Sequence, residues 1–98
     1  MSVYIALTVL SEAGRKALKA KPEQIKEHNV RLHALGVKTL AQYATLGQYD
    51  FVNIFEAPND DAIYRAAIQM SSGVLHTTTL VAKTLDEFTT AVKPAVKK

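Results

Sequence analysis

The chain lacks the residues that define several common classes of protein. None of its 98 residues is cysteine, which excludes a disulfide-stabilised secreted module and thiolate chemistry. The apolar start, residues 1–10, has no basic region before it, and charged residues follow it at once. We therefore expect neither a signal peptide nor a membrane span, and no membrane partner. A cytoplasmic protein is the default prediction.

Sequence motifs for metals and nucleotides are also absent. His28 and His33 are five residues apart, which places them about 140° apart around a helix and on different faces. The chain contains no His-Glu-x-x-His pair, no glycine-rich phosphate loop and no serine in a nucleophile-elbow context. Its single glycines are explained by turns and helix ends. We therefore expect no metal site and no cofactor.

The charge pattern argues against a nucleic-acid partner. The net charge is +3, from twelve Lys and Arg against nine Asp and Glu, and much of the excess lies in residues 15–26 and in the C-terminal tail. Nucleic-acid sites usually combine such charge with aromatic residues or a known motif. The lysine-rich region 15–26 has no aromatic residue. We interpret it as a solvent-exposed helix face.

The residues that are present indicate one soluble globular domain. Apolar residues make up 48% of the chain and charged residues 21%, which is ordinary for such a domain. A length of 98 residues suits a single core, so we expect one domain over residues 1–98.

Local patterns predict alternating strands and helices. Period-two apolar spacing and β-branched residues predict strands over residues 2–10, 37–46, 50–57 and 74–83. Ser11 can cap a first helix, Pro22 interrupts it, and Gly36 ends the segment that follows. Residues 59–61 supply N-cap side chains for a helix that stops near residue 73. A capping box at residues 84–87 begins a short last helix.

This order, β-α-β-β-α-β with a final helix, predicts the α+β fold class. Two crossovers around a central hairpin give a ferredoxin-like plait with a four-stranded antiparallel sheet. The first and third strands are then central. The fourth strand borders the first strand, and the second strand borders the third.

The hairpin over residues 45–55 is the centre of this prediction. Apolar and β-branched residues flank a short loop that contains Gly47, the short-range signature of a hairpin. We expect a three-residue loop in which Gly47 has a positive φ.

The face of the sheet that the helices leave uncovered is predicted to be an interface. Two helices cover only one face, and the other face of an antiparallel sheet is polar when it is solvated. Here both faces of the first and third strands carry large apolar residues. We therefore expect a homodimer or a higher homo-oligomer through Phe51, Phe55 and Tyr4, or through Val52 and Ile54 if the helices take the other side.

The run Gly47-Gln48-Tyr49-Asp50 resembles the signature of the GYD-domain family. The flanking residues are similar too: Tyr43 and Thr45 before the turn, and the segments 56–58 and 77–80 after it. The likeness extends from Tyr4 to Phe88. It implies a small protein of the dimeric α+β barrel class. It implies little about activity, because relatives in fold include cofactor-free monooxygenases, haem enzymes and ligand-sensing domains.

Tyr49 and Asp50 are the first candidate ligand-binding residues, together with Tyr43 beside the same turn. They supply phenol and carboxylate groups that could line a cleft at the hairpin tip. The alternative is local: Asp50 accepts N–H bonds from its own turn, and Tyr49 packs against a neighbouring element.

His76 and Asn53 are the other candidates. If the side of the fourth strand that carries His76 lies on the uncovered face of the sheet, His76 could approach Tyr4 or Ala6. Asn53 of the third strand could approach the first strand from the other flank. An imidazole and an amide there could bind a polar ligand or act in proton transfer. The alternative is a partly buried histidine satisfied by a neighbour or by water.

Three functions are compatible with these patterns. The first is a small oligomeric protein that binds a small molecule in or beside the space between stacked sheets. The second is a cofactor-free enzyme, such as a monooxygenase or isomerase, that uses His76, Tyr49 or Asn53. The third is a structural assembly subunit. An enclosed cavity over Asn53 and His76 favours the first two functions, and a tightly filled interface favours the third.

Overall fold

The structure is a computed structural model that describes residues 2–70 and 75–94. Four strands and four helices alternate along the chain as β1 Ser2–Leu10, α1 Glu12–Ala20, α2 Gln24–Ala34, β2 Lys38–Ala44, β3 Phe51–Ala57, α3 Asp60–Met70, β4 Leu75–Ala82 and α4 Leu85–Val92. The predicted end of α3 near Gly73, and Val74 at the start of the predicted fourth strand, lie outside the described residues.

The four strands form one antiparallel sheet in the order β2-β3-β1-β4. This order confirms the ferredoxin-like α+β fold, with β1 and β3 at the centre. The strand bounds differ from the predicted ones by two residues or fewer at each end. Because the crossover helices and the central hairpin leave few topologies, the element order alone was enough to predict the sheet.

Capping side chains mark where α1, α3 and α4 begin. The side chains of Ser11, Asn59 and Thr84 each accept a hydrogen bond from the backbone N–H three residues further on. The Glu87 carboxylate accepts the backbone N–H of Thr84, which completes the predicted capping box. Pro22 lies in the break between α1 and α2, as predicted. These contacts satisfy N–H groups that a helix cannot satisfy internally.

The helices α2 and α3 cover the face of the sheet that carries the even-numbered residues of β1. The buried apolar cluster between these layers is Tyr4, Ala6, Leu32, Val37, Phe55, Ala57, Ala62, Ile63 and Ala66. Burial of one aromatic side chain removes at least ~150 Å² from water, so each of the two aromatic residues contributes about 4 kcal/mol or more to the stability of the core.

This arrangement corrects the predicted interface residues. Tyr4 and Phe55 are each only 1% exposed beneath the helices, so neither can be part of an open face. The Tyr4 hydroxyl also donates to the Asp60 carboxylate at the start of α3, and this bond, together with burial, raises the pKa of Tyr4. Phe51 follows the same side of β3 and is half-buried. The alternative residues, Val52 and Ile54, are the ones on the uncovered face. The sequence could not decide between the two sets, because both faces of β1 and β3 are apolar.

The β2–β3 hairpin is confirmed, but its loop is longer than predicted. Gly47 has a φ of +121°, the positive value that was expected. The backbone N–H of Thr45 donates to the carbonyl of Asp50 at 2.8 Å, so four residues, 46–49, lie between these partners rather than three.

A β-bulge interrupts the pairing of β2 with β3. Thr39 pairs with Phe55, whereas Ala41 already pairs with the adjacent Ile54, so Leu40 is an extra residue in β2. Beyond the bulge, Gln42 is opposite Asn53 on the covered face. A bulge of this kind re-aims the side chains that follow it.

Candidate functional site

The face of the sheet opposite α2 and α3, which we call the open face, is almost entirely apolar at its centre. Ile5 of β1 is paired with Ile54 of β3 on one side and with Leu80 of β4 on the other. Each residue of the open face is half-buried or exposed within the chain. Its apolar members are Val3, Ile5, Leu7, Val9, Ala41, Tyr43, Val52, Ile54, Leu80 and Ala82.

Polar residues surround this apolar centre. Glu56 is opposite Val3 in the register, and Lys38 of the edge strand β2 is opposite Glu56. At the other end of the sheet, exposed His76 is opposite Val9. An apolar centre with a polar margin is the usual anatomy of a protein–protein interface.

The last helix, α4, carries a second exposed apolar surface. Leu85, Phe88 and Val92 follow a spacing of three and four residues, which places them on one side of the helix, and they are 81%, 54% and 60% exposed. The chain measures 61 × 30 × 19 Å, and its radius of gyration is 15.7 Å. A compact domain of this length has a radius of gyration of about 12.6 Å. In the described part of the chain, α4 has only marginal contact with the sheet and the other helices.

Asp50 ties the hairpin to the end of β1. Its carboxylate Oδ2 accepts the backbone N–H of Leu10 at 2.8 Å, and its own N–H donates to the carbonyl of Thr8 at 2.8 Å. The expected bonds within its own turn come instead from Thr45, whose hydroxyl donates to the carbonyl of Tyr49 at 2.6 Å. The side chain of Asp50 therefore has a structural partner on another strand.

A line of polar side chains crosses the covered face from α2 to β4. Asn29 Nδ2 donates to Gln42 Oε1 at 2.7 Å, and Gln42 Nε2 donates to Asn53 Oδ1 at 2.6 Å. Asn53 Nδ2 then donates to Thr8 Oγ1 at 3.2 Å, and this oxygen lies 3.4 Å from Thr77 Oγ1. Asn53 is only 4% exposed, so these bonds offset the cost of burying its amide. We call this line the polar network.

The structure does not bring the predicted ligand-binding residues together. His76 is on the open face, as its alternation with Thr78 and Leu80 suggested, but its neighbour in the register is Val9 rather than Tyr4 or Ala6. Asn53 is on the covered face, so it and His76 cannot contact one ligand. Tyr43 is 61% exposed on the open face, but on β2, at the edge of the sheet opposite to His76. Tyr49 is half-buried in the hairpin loop.

A partly open space lies elsewhere, between the helices α1 and α2 and the sheet. This space of about 70 Å³ is lined by apolar side chains of α1, α2, β1 and β4 and by Gln24, His28 and Arg31. A second space of about 20 Å³ shares Ile25, His28 and Leu75 with it and reaches the polar network at Asn53. We call these two neighbouring spaces the interlayer crevice.

His28 is the chemically distinctive residue of the interlayer crevice. Its Nε2 is buried and has no hydrogen-bond partner within the described residues. Burial lowers the pKa of His28, and the nearby Arg31 guanidinium lowers it further, so the ring is neutral at pH 7. Arg31 Nη2 lies 3.5 Å from Nδ1. A guanidinium can only donate, so Nδ1 faces it as the acceptor and Nε2 carries the ring proton.

Sequence reasoning considered His28 only as a metal ligand and missed this position. The signal was present, because Ile25, His28 and Leu32 follow helical spacing and share the buried side of α2. Among residues 2–70 and 75–94, no group of three or more His, Asp and Glu is placed to bind a metal ion. No helix in that part of the chain is both long enough and apolar enough to cross a membrane.

The fold and these surfaces define a ferredoxin-like α+β protein with an unpartnered sheet face. The family model of the GYD domain matches residues 4–92, and the chain belongs to that family. The chain is also 43% identical over 84 residues to the Thermus thermophilus protein named glutamine synthetase and cystathionine beta-lyase binding protein. That match covers 84% of this chain and 88% of the relative. No solved structure matches the chain significantly.

Proposed function

We propose that this chain is a protein-binding module that pairs with a second copy through its open face. The proposal rests on the continuous apolar centre of that face around Ile5 and Ile54. Full burial of one Ile side chain is worth about 1.5–3 kcal/mol. A monomer leaves this whole surface in contact with water, in a domain with little stability in reserve.

The sheet alone is too small for a stable interface, which indicates that α4 takes part in it. Four strands about 4.8 Å apart, each about seven residues long at ~3.3 Å per residue, cover roughly 440 Å². When two such faces stack, they therefore take only about 900 Å² of flat area out of contact with water. Stable interfaces bury about 1,200–2,000 Å². We infer that Leu85, Phe88 and Val92 of each copy pack against the other copy, which adds the missing surface.

The partners of the assembled protein are proposed from its relative. The Thermus protein is named for binding glutamine synthetase and cystathionine beta-lyase, and the similarity covers most of both chains. We propose that this chain binds the same two enzymes, in the cytoplasm, as a homodimer or a higher homo-oligomer.

Light scattering on two matched variants tests the self-association. Ile54→Glu places a carboxylate at the centre of the open face, where a stacked partner would desolvate it without a counter-charge. We expect a monomer near the chain mass of 10.7 kDa. Ile68→Glu is the control, because Ile68 is 79% exposed on α3, outside the open face, and we expect the wild-type mass. A wild-type protein that is monomeric at micromolar concentration would refute the interface.

Binding of the enzymes is tested separately. Purified glutamine synthetase and cystathionine beta-lyase from the source organism are titrated against the immobilised chain, with an unrelated oligomeric enzyme as the control. We expect saturable binding of at least one of the two enzymes. Binding of neither, with a wild-type oligomer confirmed by light scattering, would refute the enzyme partners while leaving the self-association intact.

Binding of a small molecule is a second candidate function, and a specific observation favours it. His28 lines the interlayer crevice, and its buried Nε2 has no hydrogen-bond partner within the described residues. We therefore propose the small-molecule site on the covered face of the sheet, beside Asn53, and not between stacked sheets. We do not propose catalysis, because His76, Tyr49 and Asn53 do not meet in one cleft.

A further inference from the structure

We infer that the outer edge of β4 pairs with β4 of a second copy and so joins two open-face dimers into a tetramer. This inference rests on the proposed self-association through the open face and adds a second contact to it. The sheet order β2-β3-β1-β4 leaves β2 and β4 as the edge strands. An edge strand presents N–H and C=O groups with which another strand can pair.

The hydrogen bonds of β1 show which residues of β4 have backbone groups at the free edge. The carbonyl of Thr8 accepts the backbone N–H of Asp50 at 2.8 Å, so it points towards β3. The carbonyl of Ala6 likewise accepts from the side-chain amide of Asn53 on β3. Because backbone groups alternate sides along a strand, the odd-numbered residues of β1 face β4, where they are opposite even-numbered residues. The residues of β4 that face the free edge are therefore Leu75, Thr77, Thr79 and Val81.

The two edges of the sheet differ in their protection against strand addition. β2 has the bulge at Leu40 and the exposed Lys38, and both features oppose a further strand. β4 pairs with β1 without interruption, and residues 75–82 include no proline and no Asp, Glu, Lys or Arg. Within residues 2–70 and 75–94, the outward N–H and C=O groups of β4 have no backbone partner. A further strand can therefore pair with β4.

The sequence of β4 fits a second copy of the same strand. Antiparallel pairing centred on Thr78 places Leu75 opposite Val81 of the second copy. Thr77 is then opposite Thr79, so every outward N–H and C=O group of both strands has a partner. No like charges meet, because the strand contains no charged residue. Val81 is 74% exposed although it lies on the covered face, and Leu75 of the second copy covers it.

The small size of this contact is the reason that it joins dimers and not monomers. Residues 75–81 cover only about 110 Å² of sheet, at ~3.3 Å per residue and ~4.8 Å between strands. Biological interfaces usually exceed about 1,000 Å² in total, so one such pairing does not hold two monomers together at micromolar concentration. A dimer has two β4 edges. Once the first edge has paired, the second pairs at a high effective concentration.

The two contacts also have compatible symmetry. Two stacked sheets are related by a two-fold axis in the plane between them. Two antiparallel copies of one strand are related by a two-fold axis perpendicular to the sheet. Axes of this kind that meet at right angles generate a tetramer with D2 symmetry, which is common among soluble oligomers. The assembly is therefore expected to contain four copies.

Light scattering on the full-length chain, with two valine variants, tests this contact. We expect the wild type at about four times the chain mass of 10.7 kDa. Val81→Lys places a charge against Leu75 of the second copy, and we expect half of the wild-type mass. Val30→Lys is the matched control, because Val30 is 69% exposed on α2, which packs against the opposite edge strand β2. We expect the wild-type mass for this control.

Hydrogen exchange tests the register of the pairing. In the wild type, we expect slow exchange at the outward amides of Thr77 and Thr79, because these amides donate to the second copy. In Val81→Lys, we expect fast exchange at the same two amides. The amides of Thr78 and Leu80 face β1, so they are expected to remain protected in both proteins and report that the sheet is folded.

Each contrary outcome overturns the inference, and the measured mass shows which contact has failed. A wild-type dimer refutes the edge pairing alone and leaves the open face intact. A wild-type monomer refutes the open face, and the tetramer with it. A tetramer that Val81→Lys does not dissociate is held together elsewhere, and an equal effect of Val30→Lys shows general charge repulsion. Fast exchange at Thr77 and Thr79 in a wild-type tetramer likewise shows that β4 is unpaired.

Discussion

The Asp50 side chain offers a direct test of how the hairpin is attached to the sheet. In Asp50→Ala, the Leu10 N–H loses the carboxylate that it donates to at 2.8 Å. Leu10 is a buried residue, so its N–H is left without an equivalent acceptor. The two backbone bonds of Asp50, to Thr8 and from Thr45, remain available to alanine. The variant therefore isolates one charge-assisted hydrogen bond.

The expected magnitude follows from that single bond. A hydrogen bond to a charged group contributes about 1.5–3 kcal/mol to the free energy of unfolding. For a domain of this size, 1 kcal/mol corresponds to about 4–8 °C, so Asp50→Ala is expected to lower Tm by roughly 6–24 °C. Asp50→Asn retains an acceptor without the charge, and we expect about half of the loss.

Chemical denaturation at one fixed protein concentration measures the effect, because self-association makes stability depend on concentration. Gln48→Ala is the matched control, since Gln48 is exposed in the same loop and we expect a change within about 0.5 kcal/mol. Hydrogen exchange at the Leu10 amide gives a local readout and is expected to accelerate in Asp50→Ala. An unchanged denaturation midpoint together with unchanged exchange at Leu10 would show that this contact does not hold the hairpin.

Three further predictions follow from single residues. Gly47→Val is expected to cost on the order of 1–2 kcal/mol of stability, because φ is +121° and a side chain at that φ is strained, although nothing lies within 4 Å of an added Cβ. An unchanged Tm in a thermal melt would contradict this. His76→Ala is expected to leave the stability of the protomer within about 0.5 kcal/mol, because His76 is exposed, and a loss of several kcal/mol in denaturation would contradict that exposure. His28 has a lowered pKa in the folded state, so the unfolded chain takes up the proton first and stability falls as pH decreases through and below about 6.5. Denaturation at pH 7 and pH 5 is therefore expected to show a larger loss for the wild type than for His28→Gln, and equal losses would contradict the burial of the ring.

The sequence was sufficient for the fold because its local signals agree. The caps at Ser11 and Thr84, the break at Pro22 and the hairpin glycine each fix one element boundary, and connection rules then leave one sheet order. Which face of the sheet the helices cover was not predictable in the same way. Val52 and Phe55 lie on opposite faces of β3 and are both apolar, so hydrophobicity could not decide between them.

The candidate site was less predictable because it depends on contacts between distant elements. The polar network joins Asn29 of α2 to Gln42 of β2, and no short-range pattern links those two positions. The bulge at Leu40 also breaks the alternation from which the orientation of Gln42 would have been inferred. For His28, the period of α2 indicated the buried side, but the absence of a described partner for Nε2 depends on the packing of α1 and the sheet.

The bulge at Leu40 also means that β2 can lose one residue without reversing the face on which its other residues lie. Insertions in the loop of residues 46–49 only lengthen a surface turn, since both strands are already paired before it begins. Loss of Leu40 would make Thr39 and Ala41 neighbours, and because these two residues already lie on opposite faces, the regular period of two would be restored. Gln42 would stay opposite Asn53, and Val37 would stay in the core in which it is buried. Within the family, we therefore expect length variation of one residue at the bulge as well as in the hairpin loop.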